Sequence, residues 1–185
     1  MNKIFLYTFL FFLFCGNAIA DTKDREIKLD QLFEQLKKSS NASVAFEIEM
    51  KIWNIWSTHP TQKELTQSLA NGSDLMSQGK LEKSYKVFST IIDVAPNWAE
   101  GWNKRATVLY LLGRYQQSQK DIDEVLKLEK RHFGALSGQA LVQIKLKNYE
   151  KAINSYKAAQ KIYPSIKAAE IMIPQLQELI NNETI

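Results

Sequence analysis

The chain has 185 residues, 45% of them hydrophobic, and a formal net charge of +4 from 24 Lys and Arg against 20 Asp and Glu. That length allows one ordinary domain beside a short leader, and so mild a charge, with no aromatic-basic motif, excludes the footprint of a nucleic-acid binder. Cys15 is the single cysteine, so no disulfide can form within the chain.

Residues 1–20 have the three parts of a secretory signal peptide. Lys3 supplies the early charge, Ile4 to Cys15 is an apolar run broken only by Thr8, and Ala18-Ile19-Ala20 sets small residues around a cut before Asp21. The run is too short for a spanning helix, which needs about twenty apolar residues. Lipidation at Cys15 would want a small residue before it, where the chain has Phe14. The expectation is cleavage after Ala20, release into the periplasm or beyond in a Gram-negative bacterium, and a mature charge of +3 with no cysteine.

From Asp21 onward apolar residues recur at helical spacing. Leu29, Leu32, Phe33 and Leu36 fit one helix. Phe46, Ile48, Met50 and Ile52 alternate as in a strand, but Phe46, Met50, Trp53 and Ile55–Trp56 also fit a helical face, and no second strand-like run exists to pair with them. Helix is therefore predicted, and residues 21–60 are read as an N-terminal helical segment that covers the first face of a helical array beginning near Thr61. Thr61-x-x-Glu64 after Pro60 predicts a capping box at the next helix start.

Sliding the chain by 34 residues brings three helix pairs into register over residues 61–166, at about 65–98, 99–132 and 133–166. Ser68, Trp102 and Leu136 lead the first helices; Gly72, Ala106 and Ala140 follow four places later. The turns read Gly79-Lys80-Leu81, Gly113-Arg114-Tyr115 and Lys147-Asn148-Tyr149. The second helices carry Ser84, Ser118 and Ala152, then Phe88, Ile122 and Tyr156, then Ile91, Val125 and Ala159. Pro96 and Pro164 close two copies, with Lys130 in the remaining place. Two antiparallel helices approach closely only where small side chains face each other, and one hairpin alone leaves an apolar face uncovered, so such units stack. Residues 167–185 read as a capping helix that Pro174 should kink or split.

These positions resemble the tetratricopeptide repeat, whose W…L-G…Y…A…F…A…P pattern has the same period. The likeness covers about 105 residues, weakest at Ser68, Gln143 and Lys130. AEGWNKRATVLYLLGRY and RHFGALSG look like small exported repeat proteins of alphaproteobacteria. The resemblance implies an all-α fold, a right-handed superhelical array of three hairpins with flanking helices. It also implies a concave groove lined by the first helices, which would hold a peptide or a partner helix. Groove-facing residues would be Leu69, Ser73 and Met76, then Asn103, Thr107 and Tyr110, then Ser137, Leu141, Ile144 and Lys145. A terminal-carboxylate clamp of lysine, asparagine and arginine is not completed here, since Lys104 separates Asn103 from Arg105 and residues 134–138 lack bases.

No residue pattern supports catalysis. His59 and His132 are far apart in sequence; His132 has only Glu129 within a turn and reads as a polar loop residue. Gly134 and Gly138 read as helix packing, and Asp121, Asp123 and Glu124 as exposed ion-pairing residues. Trp53, Trp56, Trp98 and Trp102 read as core. The prediction is a non-enzymatic protein-binding module of the cell envelope, without metal, cofactor, nucleic acid or small-molecule substrate. The alternative is a catalytically inert subunit of an envelope enzyme or transporter. The lysine-rich stretch from Lys127 to Lys167 reads as a solvated surface, with contact to a membrane surface open to it.

Overall fold

The computed structural model describes residues 23–183; the leader, with Cys15, Ala20 and Asp21, lies outside the described residues. Among them are nine α-helices and no strand. A first helix, α1, covers residues 23–38. It is followed by α2 (Ala42–Ser57), α3 (Lys63–Ser77), α4 (Leu81–Val94), α5 (Ala99–Leu111), α6 (Tyr115–Leu128), α7 (Phe133–Lys145), α8 (Tyr149–Ile162) and α9 (Lys167–Glu183). Helices α3 to α8 form three antiparallel hairpins, and each hairpin packs on the next.

The repeat period is visible in single atoms. Ser84 Oγ donates to the carbonyl of Gly72 at 2.7 Å, and Ser118 Oγ donates to that of Ala106 at 2.8 Å. These bonds cross each hairpin where the small residues meet; the third copy makes the same approach with Ala140 and Ala152, both wholly buried. Each hairpin turns through a left-handed residue, Gly79 (φ 72°), Gly113 (φ 74°) or Lys147 (φ 58°). Lys80, Arg114 and Asn148 then donate back to Leu75, Leu109 and Gln143, which closes the same helix-ending motif three times.

Three expectations about the flanks need correction. No capping box forms at α3: its N-cap is Gln62, without a side-chain cap. His59 Nδ1 instead accepts from the backbone N–H groups of Thr61 and Gln62 at 3.3 and 3.0 Å. Burial, and then the charge of Arg25, hold this imidazole below its usual pKa, which keeps Nδ1 an acceptor. Second, Pro174 does not split α9, which continues across it; the lost backbone bond is tolerated because Ala169, Leu176, Met172 and Ile173 pack against α8.

Third, α2 is a helix, capped by Asn41 Oδ1 accepting from Ser43 and Val44, but it turns a different face inward. Ala45, Ile48, Ile52, Ile55 and Trp56 are buried, whereas Phe46 is 58% exposed and Met50 is exposed too. Nor does the α1–α2 pair cover the first repeat, whose core of Leu65, Leu69, Phe88, Ile91, Trp98 and Val108 includes no residue of either helix. Leu29, Leu32, Phe33 and Leu36 join Ile52 and Trp56 in a core completed by Phe133, Leu136, Ala159 and Tyr163 of the third repeat. The leading hairpin is a strap across the inter-repeat loops, and Arg131 pins it by pairing with Asp30 and Glu26.

Candidate functional site

The first helix of the middle hairpin, α5, touches both α3 and α7. Gly134 and Gly138 stand one turn apart on α7 and therefore share a face. A Cβ at Gly134 would lie 2.5 Å from Cη2 of Trp53, so α2 can press its indole on α7 only where α7 has no side chain. Gly138 faces open space apart from Ile122 Cδ1 at 3.8 Å. Asn103, Thr107 and Tyr110 of α5 meet Gly134, Gly138 and Leu141 of α7 around a cavity of about 70 Å³. A pocket of about 390 Å³ shares Gly134 and runs on past Ser137 to Phe46, Glu49 and Trp53 of α2 and to Tyr163 and Lys167. The two cavities share Gly134, and both lie along α7.

Aromatic rings build the larger one. Trp53 and Phe133 meet edge to face at 5.5 Å, as do Phe133 and Tyr163 at 5.6 Å. Glu49 Oε1 accepts from Trp53 Nε1 at 3.2 Å. Burial, and then the Glu49 carboxylate that its hydroxyl meets, raise the pKa of Tyr163.

Under the strap lies a sealed polar cluster. His132 is wholly buried and caps α7, its Nδ1 accepting from Ala135 N–H at 3.0 Å. That fixes the proton on Nε2, which faces Glu100 Oε2 at 3.2 Å. Asn103 Nδ2 donates to the same oxygen at 3.1 Å, and Lys104 Nζ stands 3.3 Å from Oε1. Burial pushes the Glu100 carboxyl up, but His132 and Lys104 outweigh it and hold the group below the usual carboxylate range. Trp56 stacks on His132 at 4.0 Å and 8°, and its carbonyl accepts from Trp98 Nε1 at 2.8 Å. His132 is thus no mere loop residue, as its sequence neighbours suggest, but a keystone between two repeats and the strap. Asp121 is likewise buried rather than exposed, gripped by Arg105 through two bonds of 2.7 and 2.9 Å. Among the described residues no group of three or more His, Cys, Asp or Glu could hold a metal ion.

Comparison with known proteins agrees with this architecture. The family model described as tetratricopeptide repeat matches residues 103–165. A tetratricopeptide repeat-containing protein of Rhizobium etli is 33% identical over 174 residues, covering 91% of this chain and 81% of the relative. The chain belongs to the tetratricopeptide repeat family. The family is generally non-catalytic. Solved tetratricopeptide domains share the fold at low identity. The Sgt2 domain from Aspergillus fumigatus superposes with a TM-score of 0.63 at 14% identity, over 66% of this chain and 83% of that one. The first such domain of Spaghetti (RPAP3), solved with the HSP90 peptide SRMEEVD, gives 0.61 at 16% identity, over 63% of this chain and 93% of that one.

Within this tetratricopeptide array the ten residues predicted to face the groove separate. Leu69 is 3% exposed and packs in the first hairpin's core, so it is withdrawn from the groove. Asn103 touches the small cavity but is 8% exposed and spends its amide on Glu100. Thr107, Tyr110, Ser137 and Leu141 line the two cavities. Lys145 lies one turn beyond Leu141 and is exposed, Ile144 packs toward α8, and Ser73 and Met76 lie on α3, outside both cavities. Sequence reasoning misses the α2 wall, because the spacing of Phe46 and Trp53 assigns both to the core.

Proposed function

We propose that the protein is a binding module of the cell envelope whose groove over α7 takes an extended peptide or a partner helix. The observation that carries this reading is the groove itself: a glycine floor between an aromatic wall on α2 and the hydroxyl and apolar side chains of α5. Backbone can approach closely at Gly138, and Leu141, Phe46 and Trp53 offer apolar surface for side chains. The HSP90 peptide held by the RPAP3 domain adds support, as a case of a peptide bound by the same fold.

The envelope location is supported by Lys3, the apolar run and Ala18-x-Ala20. If the leader is removed as proposed, the mature protein begins at Asp21, which N-terminal sequencing of the purified form would read directly. A start at Met1, or at a lipidated Cys15, would refute it.

The groove is tested by affinity purification of the tagged protein from envelope extracts, followed by mass spectrometry. Thr107, Leu141 and Lys145 are all exposed, so their joint change to Ala should leave helical circular dichroism intact and reduce recovery of partners severalfold. Full recovery by that folded variant would place the binding surface elsewhere.

A further inference from the structure

The wide end of the groove has a chemistry of its own. The rings of Phe46, Trp53, Phe133 and Tyr163 border one pocket of about 390 Å³, and the only carboxylate among its lining residues is Glu49. That carboxylate receives the Trp53 indole N–H at 3.2 Å and meets the Tyr163 hydroxyl. A carboxylate accepts about four hydrogen bonds, so roughly two sites remain open. Among the described residues no cation stands within ion-pair distance of Glu49. Lys167 lines the same pocket but reaches back to Glu170 at 2.9 Å. The Trp53 ring already draws an ammonium, since Lys104 Nζ sits 5.8 Å from its centroid while paired with Glu100.

We propose that this pocket receives a lysine or arginine side chain of the partner, so that the groove selects extended peptides with a basic residue at that point. The inference rests on the reading of the groove as a peptide site and names what that site recognises. A ring face attracts a cation through its quadrupole, and a carboxylate beside it adds a charge-assisted hydrogen bond. A norleucine side chain would fill the same space without either interaction. An acidic side chain would meet Glu49 at short range and be repelled. Phe46, more than half exposed, is the wall that a long side chain passes on its way in.

The test uses the purified protein and two peptides, acetyl-Gly-Ser-Leu-Lys-Leu-Ser-Gly-amide and its counterpart with norleucine in place of lysine. Binding is followed by the indole N–H resonance of Trp53, assigned by comparison with the Trp53→Phe protein. The lysine peptide should shift this resonance and bind at least about tenfold more tightly than the norleucine peptide. Glu49→Gln should shrink that difference severalfold, leaving only the part the rings supply, while norleucine binding stays unchanged, and Phe46→Ala, on an exposed side chain, should weaken the lysine peptide without loss of helicity.

Equal affinities for the two peptides, an unaffected Glu49→Gln protein, or no shift of Trp53 by either peptide would overturn the proposal. So would a response to choline chloride alone, which would make this a site for a small cation. If the Thr107, Leu141 and Lys145 variant loses partners from extracts while Glu49→Gln keeps them, the groove reading survives and the cation reading falls. If neither variant loses partners, the groove reading itself falls.

Discussion

A carboxylate sealed from water is tolerable only when its charge is met, and Glu100 is met three times over, by His132, Asn103 and Lys104. Its pKa lies below the ordinary 4.5 in the folded protein, so the unfolded chain takes up the proton first as pH falls. The stability this group lends is therefore complete above the ordinary value and drains away as acid carries the pH down through the folded pKa. Glu100→Gln keeps an oxygen acceptor but removes the charge, and should cost about 1–3 kcal/mol at pH 7. Thermal melts between pH 3 and 7 should show the variant losing less than the parent on the acid side. Parallel curves would mean that other carboxylates dominate. Asn103 and Lys104 stand within a helical turn of Glu100, but the His132 half of the cluster was not legible from such neighbours. The signal lay at a longer spacing: Glu100 and His132 are 32 residues apart, as are Arg114 and Glu82, which also pair. In an array of period 34, residues nearly one period apart on adjacent hairpins face each other, and a search at that separation would have found both pairs.

At the scale of helices and turns, the period exposes one substitution the chain tolerates at a cost. Gly79 and Gly113 take the left-handed turn conformation with no Cβ to strain, but Lys147 takes it at φ 58° with a full side chain. That geometry disfavours a Cβ by roughly 1–2 kcal/mol, part of which glycine gives back through its floppier unfolded chain. Lys147→Gly should therefore stabilise by about 0.5–1 kcal/mol and raise the melting temperature by about 2–3 °C. An unchanged or lower temperature would show that the lysine side chain makes a compensating contact. The three hairpins were readable because sterics repeat faithfully: small residues at Gly72, Ala106 and Ala140 have no substitute where two helices touch. The face of α2 was not readable, because Phe46 and Trp53 occupy positions that would serve a helix core equally well, and only the glycine on α7 decides where the indole goes.

For the molecule as a whole, the decisive element is the strap. An open array of hairpins has only neighbour contacts and can fray from either end. Here Trp56 holds both junctions, taking Trp98's hydrogen bond on its carbonyl and His132 on its ring, while Arg131 ties the loop before the third repeat to α1 and lays its guanidinium 4.5 Å from the centre of the Phe33 ring. Trp56→Ala should cost about 3–5 kcal/mol by emptying that site. Native-state hydrogen exchange should then show α1, α2 and the start of α7 losing protection together, ahead of α3 and α4. Equal loss in α3 and α4 would mean that the strap does not set the weak boundary. The Arg131 to Asp30 pairing spans 101 residues of chain, and Phe133, Leu136, Ala159 and Tyr163 complete the core of α1 and α2, so the earliest helices find their cover only after the third hairpin has been made. Contacts of such range slow the search for the native state. While the ribosome is still working, Leu29, Leu36, Ile52 and Trp56 have no finished surface to settle on, and a growing chain with this order of parts presents the apolar faces of its first two helices to the surroundings for most of its synthesis.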